Sequence, residues 1–167
     1  MSHEATLKKL QEQFAPARFE TSEFRDNFRI VCPREQLFDV LKFLKNDASF
    51  DFLSDVTAVD YLEYSGAHDR FGVIYSLTAT KSGERLYVKV FLNEPDLTLP
   101  SVVPLWNGAN WLERELFDMF GIRFDGHPDL RRILLPDDFA AFPLRKDYPL
   151  RGRGERHNFP VLSRTES

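Results

Sequence analysis

The chain has 167 residues, of which 43% are hydrophobic and 29% are charged, and its formal net charge is -4. A chain of this length forms one domain, with room for an appendage, and buries roughly two thirds of its unfolded surface. Residues 121–167 carry nine Lys and Arg against seven Asp and Glu, too small and too interleaved an excess to predict binding of nucleic acid.

Cysteine and histidine usage limits the cofactors that the chain could hold. Cys32 is the only cysteine, which excludes an intrachain disulfide, a four-cysteine zinc site and an iron–sulfur cluster held by this chain alone. The four histidines are scattered without the spacing of metal ligands, and the glycines form neither G-x-G-x-x-G nor a Walker pattern. We therefore expect no cofactor, no metal and no catalytic residue here.

The hydropathy pattern shows no apolar stretch near the roughly 18 residues of a spanning helix. The first residues resemble neither a signal peptide nor a transit peptide. We expect a soluble, unexported chain whose association with a membrane would be indirect, through partners.

Helical periodicity appears twice near the start of the chain. Leu7, Leu10 and Phe14 predict a short amphipathic helix from Thr6 to Phe14. Phe28–Val31 alternates and predicts a strand. A second helix is predicted from Pro33 to Asn46, because proline is tolerated at a first helical position and apolar residues follow at i, i+3, i+4 and i+7.

Three β-rich stretches follow, at 52–61, 71–80 and 85–92. In the middle one the alternation from Phe71 to Ala79 predicts a sheet with one face on a core, and Lys81–Glu84 predicts a hairpin turn. The order of elements predicts an α+β fold, with a mostly antiparallel or mixed sheet of about four strands and helices packed on it.

A third helix is predicted from Trp111 to Phe120. Asn110 and Glu113 have the spacing of a capping box, and Gly121 suits the left-handed position after the helix. The apolar stripe of this helix, which we assign to the core, comprises Leu112, Leu116, Met119 and Phe120.

The pattern changes after Gly121. Residues 121–167 hold five of the ten prolines and four of the eight glycines, and no helix or strand is predicted in them. Ordering one residue costs about 1–2 kcal/mol of backbone entropy, which so irregular a segment cannot recover by packing on itself. We predict an α+β domain at 1–120 and an arm at 121–167 that docks on a partner, with residues 151–167 loose until assembly.

Charged residues around this boundary admit more than one interpretation. Glu115 and Asp118 have the spacing of an acid–base pair, but no nucleophile, metal cluster or phosphate loop accompanies them. A solvated face, or pairing with arginines of the arm or of a partner, is therefore favoured. The same choice applies to Arg131, Arg132 and the run Arg145–Lys146–Asp147. His127 is followed by Pro128, which restricts its backbone, and Asp129 can cap a following turn, so both are interpreted as structural.

The sequence of these segments resembles one known family. The carrying motifs are Asn110–Ile122, Gly126–Leu134 and Pro143–Leu150, together with 52–61, 85–90 and 101–106 upstream. In this order they resemble the C subunit of NADH:quinone oxidoreductase, the respiratory complex I. The chain departs from the family pattern at Ala141-Phe142, where the family has Gly-His, and at Pro136–Phe139.

The resemblance implies a non-catalytic structural subunit of the peripheral arm that binds no flavin or iron–sulfur cluster. It implies docking against the D subunit, with the B and I subunits as further partners, on the cytoplasmic face of the bacterial inner membrane. The partner interface would contain Glu113, Arg114, Glu115, Asp118, His127, Asp129, Arg131, Arg132, Arg145, Lys146 and Asp147.

Other assemblies and functions remain open at this point. Related membrane-bound hydrogenase, ferredoxin-linked or photosynthetic complexes contain subunits with similar motifs. A stand-alone adaptor, or a single-strand nucleic-acid binder that uses the arginines and aromatics of the arm, belongs to a different class.

Overall fold

The computed structural model describes residues 3–25 and 27–154. The elements in chain order are α1 (His3–Gln13), β1 (Glu20–Phe24), β2 (Asn27–Val31), a 3-10 turn (Arg34–Gln36), α2 (Leu37–Asn46), β3 (Phe52–Asp60), β4 (Phe71–Thr78), β5 (Arg85–Leu92), β6 (Thr98–Pro100), α3 (Ala109–Phe120) and β7 (Arg123–Asp125). This mixture confirms the predicted α+β class. The segment predicted to stay loose, 151–167, lies mostly outside the described residues.

The main sheet has five strands in the order β1-β2-β5-β4-β3. Its pairs are antiparallel except β2 with β5, which run parallel. The sequence predicts about four strands and misses β1. This strand is exposed at every position, so its residues show no alternation of apolar and polar side chains.

The central strands follow the predicted period of two. Phe71, Val73, Tyr75 and Leu77 on β4 are fully buried and pack with the buried residues of β5. The hairpin between β4 and β5 forms at the predicted turn, where the Gly83 N–H donates to Ala79 O over 2.8 Å and Gly83 has φ 77°.

The first two helices supply the other layer of the core. Leu37, Val40, Leu41 and Leu44 of α2 are buried with no exposed surface, as the periodicity predicts, and so is Leu10 of α1. The α2 helix begins at Leu37, later than predicted, because Arg34–Gln36 wind into a 3-10 turn first.

The predicted start of α3 is wrong. The helix begins at Ala109 with Gly108 at the cap position and no side-chain cap bond, so Asn110 lies inside the helix. Glu113 does not complete a capping box, because its carboxylate accepts hydrogen bonds from the segment before the helix instead. The predicted end is confirmed: Gly121 is left-handed with φ 76°.

Two short strands connect the start of the arm to the segment before α3. β6 and β7 pair in parallel, and Leu99 and Phe124 on them are buried. β7 lies in the segment where no strand is predicted, and three residues are too few to show a period. No helix in the described part of the chain is long and apolar enough to cross a membrane.

The arm returns over the end of α3 at Gly121. A Cβ at this position would lie 2.7 Å from ring atoms of Phe142 and 2.8 Å from a guanidinium nitrogen of Arg145, and the Leu144 N–H donates to Met119 O over 3.2 Å. Gly121 is therefore required twice, for its backbone conformation and for the contact of the arm with the helix.

Substitution of Gly121 tests this contact against a matched control. Gly83 has the same positive φ, but a Cβ there would meet nothing within 4 Å. Gly83→Ala should cost about 1 kcal/mol from the backbone alone, whereas Gly121→Ala should cost about 1–3 kcal/mol more, because the Phe142 ring must move. Urea unfolding of both variants measures the difference, and equal losses of stability would contradict this packing.

Candidate partner-docking surface

Asp118 is the point where α3 and the arm are joined. Its side chain has no exposed surface, and its Oδ2 accepts the N–H groups of Ile133, Leu134 and Leu135 over 3.0, 2.7 and 2.9 Å. Burial opposes ionisation, but these donors and the Arg132 side chain together hold the pKa of Asp118 below its usual value. A helix carboxylate thus fixes the backbone of an irregular segment.

Arg132 completes this connection from the arm. One guanidinium nitrogen, Nη1, lies 2.7 Å from Asp118 Oδ1, and Nη2 donates to Ala141 O over 3.3 Å. Its guanidinium carbon lies 5.4 Å from the centre of the Phe142 ring, and that of Arg145 lies 4.7 Å from it. Phe142 thus lies within cation–π range of both arginines.

Glu113 organises the segment before α3. Its side chain is fully buried, and it accepts the hydroxyl of Ser101 and the N–H of Val102, both over 2.7 Å. Burial raises the pKa of Glu113 to about 7, against the opposing effect of these two donors. Its Oε2 lies 4.0 Å from Nε2 of His127, whose side chain is also fully buried.

His127 and Arg114 bind main-chain groups of the same chain. His127 Nε2 lies 3.2 Å from Asn110 O, and its Nδ1 accepts the N–H of Asp129 over 3.0 Å, which makes Nε2 the protonated nitrogen. Arg114 donates to the carbonyls of Arg131 and Arg132 over 3.1 and 3.2 Å. Both side chains hold the start of the arm on α3.

The end of the arm is fixed at a second place by a cluster of charges that we call the clasp: Asp60, Arg70, Glu94, Arg145 and Asp147. Arg70 lies 3.3 Å from Asp60, 2.6 Å from Glu94 and 2.7 Å from Asp147. Arg145 lies 2.9 Å from Glu94 and donates to Phe120 O over 2.6 Å.

Asp60 is the buried centre of the clasp. Its side chain has no exposed surface, and it accepts the N–H of Lys146 over 2.9 Å. Burial opposes its ionisation, but that N–H and Arg70 hold the pKa of Asp60 below its usual value. The sequence does not predict the part of the clasp that lies in residues 1–120, because Asp60, Arg70 and Glu94 are far apart in the chain and belong to no common motif.

The eleven residues predicted for a partner interface therefore divide into two groups. The side chains of Glu113, Arg114, Asp118, His127, Arg132 and Arg145 are used inside the chain, as the contacts above show. The exposed members are Glu115, Asp129, Arg131, Lys146 and Asp147. Among these, Arg131 and Asp129 form an exposed pair at 2.9 Å, and Asp147 also belongs to the clasp.

Exposed apolar side chains lie beside these residues. Trp111 is 60% exposed and Leu134 is 63% exposed, so covering them would remove apolar surface from water. The guanidinium of Arg114 lies 5.2 Å from the Trp111 ring centre while it binds the backbone of 131 and 132. We call the group Trp111, Glu115, Asp129, Arg131 and Leu134 the α3–arm surface.

The fold and this arrangement define a small α+β protein with a charged helix bound to its own extended arm. Residues 30–154 match the family model of the respiratory-chain NADH dehydrogenase 30 kDa subunit. The chain belongs to this family.

Individual relatives support the assignment to this family. The chain is 47% identical to the C subunit of the NADH-quinone oxidoreductase of Citrifermentans bemidjiense, over 86% of this chain and 88% of that protein. The solved trypsin-resistant fragment (1-134) of Nqo5 is 36% identical and superposes with a TM-score of 0.67, over 75% of this chain and 99% of that one.

A third likeness concerns the fold alone. The structure of a membrane-bound sulfane sulfur reductase, an archaeal respiratory membrane complex, contains a chain that is 24% identical, with a TM-score of 0.75 over 98% of this chain and 95% of that one. The fold therefore occurs in complexes of different names.

Removal of the Asp118 charge should detach the arm from α3. In Asp118→Asn the Arg132 guanidinium, 13% exposed, keeps its charge without a carboxylate, and we expect a loss of about 3 kcal/mol at pH 7. Because the folded pKa is lowered, the contribution is present above the unfolded pKa and is lost as pH falls toward the folded pKa, so the difference between variant and parent should become smaller in acid. Urea unfolding of variant and parent from pH 7 to pH 3 measures this difference in the free energy of unfolding.

Glu115→Gln on the same helix is the control and should change the free energy of unfolding by less than about 0.5 kcal/mol.

The raised pKa of Glu113 predicts the opposite dependence. A carboxyl group that stays protonated longer in the folded state stabilises the protein below the unfolded pKa, and this stability is lost as pH rises to about 7. The stability of the parent relative to Glu113→Gln should therefore fall by up to about 1.4 kcal/mol per pH unit between pH 5 and pH 6.5. Urea titrations at several pH values test this. His127 and Tyr75, the titratable groups nearby, are present in both proteins, and parallel pH profiles would contradict the prediction.

Proposed function

We propose that this chain is a non-catalytic structural subunit of the peripheral arm of a proton-translocating NADH:quinone oxidoreductase. Its family membership and the names of its relatives support the complex. The absence of a redox centre from this subunit is supported by its single cysteine, because protein-held iron–sulfur clusters take several cysteine ligands.

The subunit docks against the D subunit through the α3–arm surface. The observation that carries this proposal is Trp111, a large ring left 60% exposed over an arginine that is itself held by the arm backbone. Tryptophan and arginine dominate the binding energy of protein interfaces when they lie in preorganised surroundings. The buried Glu113 and Asp118 support this surface from below, and the exposed Arg131 and Glu115 provide its polar rim.

The remaining contacts follow from the same arrangement. Lys146 and Asp147, exposed at the clasp, continue the interface toward the end of the arm, and the B and I subunits are the further partners. The subunit associates with the cytoplasmic face of the bacterial inner membrane through these proteins.

The division into a head, 1–120, and an arm, 121–167, is part of this proposal. In Nqo5 a fragment that matches three quarters of this chain resists trypsin, which supports a head that folds without all of the arm. The contacts of Asp118 and Asp60 give the arm an attachment to the head, so a partner meets residues 121–150 in a largely preformed arrangement.

Co-purification with a tagged D subunit tests the docking surface. Trp111→Ala should weaken association about 30-fold or more, the effect typical of an interface hot spot, and Arg131→Ala should weaken it less because Arg131 lies at the rim. Lys81→Ala, in the exposed β4–β5 hairpin, is the control.

The outcomes separate the candidate functions. Undiminished association of Trp111→Ala, with the parent bound to the D subunit, would contradict the α3–arm surface. Co-purification with hydrogenase-type subunits in place of NADH-binding flavoprotein subunits would favour an equivalent subunit of a related complex. Elution of the chain alone from native membranes would favour a stand-alone adaptor.

A further inference from the structure

The face of the main sheet away from the buried core carries a strip of alternating cations and rings. On β5, Leu86, Val88, Val90 and Leu92 are buried, and the residues between them are exposed or partly exposed. Neighbouring residues of a strand point to opposite faces. The side chains of Arg85, Tyr87, Lys89 and Phe91 therefore share the face away from the core, and we call these four residues the β5 strip.

The centre of the strip is a built arrangement. Lys89 Nζ donates to the Tyr61 hydroxyl over 2.8 Å and lies 4.6 Å from the centre of the Tyr61 ring and 4.4 Å from that of Phe91. The neighbouring strand has Gly72 here, and a Cβ at that position would lie 2.7 Å from Lys89 Cε and 3.0 Å from the Tyr61 ring. Glycine weakens a strand interior, so the missing side chain at Gly72 makes room for this cation between two rings.

A groove opens beside this cluster. Its volume is about 620 Å³, and Tyr61, Tyr64, Lys89 and Phe91 line it together with Arg18. The groove also includes two acidic groups, Glu20 and Asp69, and Asp69 accepts the side-chain amide of Asn93 over 2.6 Å. Tyr64 at the rim is 69% exposed. Rings with a few placed charges are typical of binding grooves of this size.

The strip continues onto the next strand. Arg29 of β2 lies in register with Tyr87, and Val31 lies in register with Lys89. With about 3.3 Å per residue, the β5 strip extends for roughly 20 Å. Its period of two matches the spacing of side chains on an extended peptide, whereas a helical partner would present its side chains at a different period.

We propose that the β5 strip and its groove bind an extended acidic segment of another polypeptide. Carboxylates of that segment pair with Arg85, Lys89 and Arg29, and its apolar side chains lie against Tyr87, Phe91 and Tyr61. Charge complementarity selects this occupant, because the cations of the strip, together with Arg29 and Arg18, outnumber the acids Glu20 and Asp69 of the groove. This surface shares no residue with the α3–arm surface, and the proposal does not rest on docking to the D subunit.

Fluorescence anisotropy with the full chain tests this proposal. The probe is a fluorescein-labelled peptide about eight residues long that alternates Glu and Tyr, and the comparison peptides alternate Lys with Tyr and Glu with Ser. We expect the first peptide to bind in a salt-sensitive manner and both comparison peptides to bind at least about tenfold more weakly. Lys89→Met keeps the apolar stem over Gly72 and should weaken binding about tenfold, the factor for one charge-assisted hydrogen bond.

Matched variants separate this site from the rest of the molecule. Lys42→Met, which removes one exposed positive charge from α2, and Trp111→Ala should both bind the first peptide like the parent. Tyr64 is exposed, so Tyr64→Ala should fold normally, and it should weaken binding because Tyr64 lines the groove. Equal binding of acidic and basic peptides, parent-like binding by both Lys89→Met and Tyr64→Ala, or preferred binding of labelled single-stranded DNA would overturn the proposal.

Discussion

The structure depends on the burial of one carboxylate at the end of a helix. Asp118 has no exposed surface, and a charge in that position is tolerated only when donors surround it. Three consecutive backbone N–H groups and one guanidinium provide these donors. The chain at 132–135 therefore has a defined path without any regular secondary structure, and all later residues of the arm start from that path.

The clasp then fixes the other end of the path. Asp60 is buried in the same way and accepts the backbone of Lys146, while Arg70 and Arg145 link it to Glu94 and Asp147. Between these two anchoring points the rings of Phe139 and Phe142 lie near the Arg132 guanidinium. Charge and aromatic contacts thus replace the apolar stripe that anchors an ordinary helix. In the described part of the arm, Arg132, Arg145 and Asp147 already have ionic partners on α3 or in the clasp.

The regular elements of the fold could be predicted from the sequence, and the attachments of the arm could not. Periodicity located α2, β4 and β5 because Leu41, Val73 and Val88 repeat with their neighbours at fixed spacing. It missed β1, which has no buried face. It misassigned Glu113, since a buried acceptor for Val102 and a capping residue have the same sequence spacing.

At the candidate site, too, the sequence identified charged residues but not the partners that they bind. The sequence left open whether Asp118 and Arg132 are solvated or pair with the arm or with a partner, and the structure pairs them with each other. It gave no indication of Asp60 and Arg70, because an ion pair between distant segments leaves no local pattern. Trp111 was visible in the sequence, but its exposure depends on the path of residues 131–134, which follows from Asp118.

The position of the two buried aspartates along the chain has a consequence for biosynthesis. Translation delivers residues 60 and 118 before residues 132–147, and domains fold as their segments emerge from the ribosome. For that interval Asp60 and Asp118 remain hydrated, so the unfinished molecule presents ionised groups at the places where the last segment will settle. Such places attract water instead of the hydrophobic surfaces of other nascent chains until the last segment covers them.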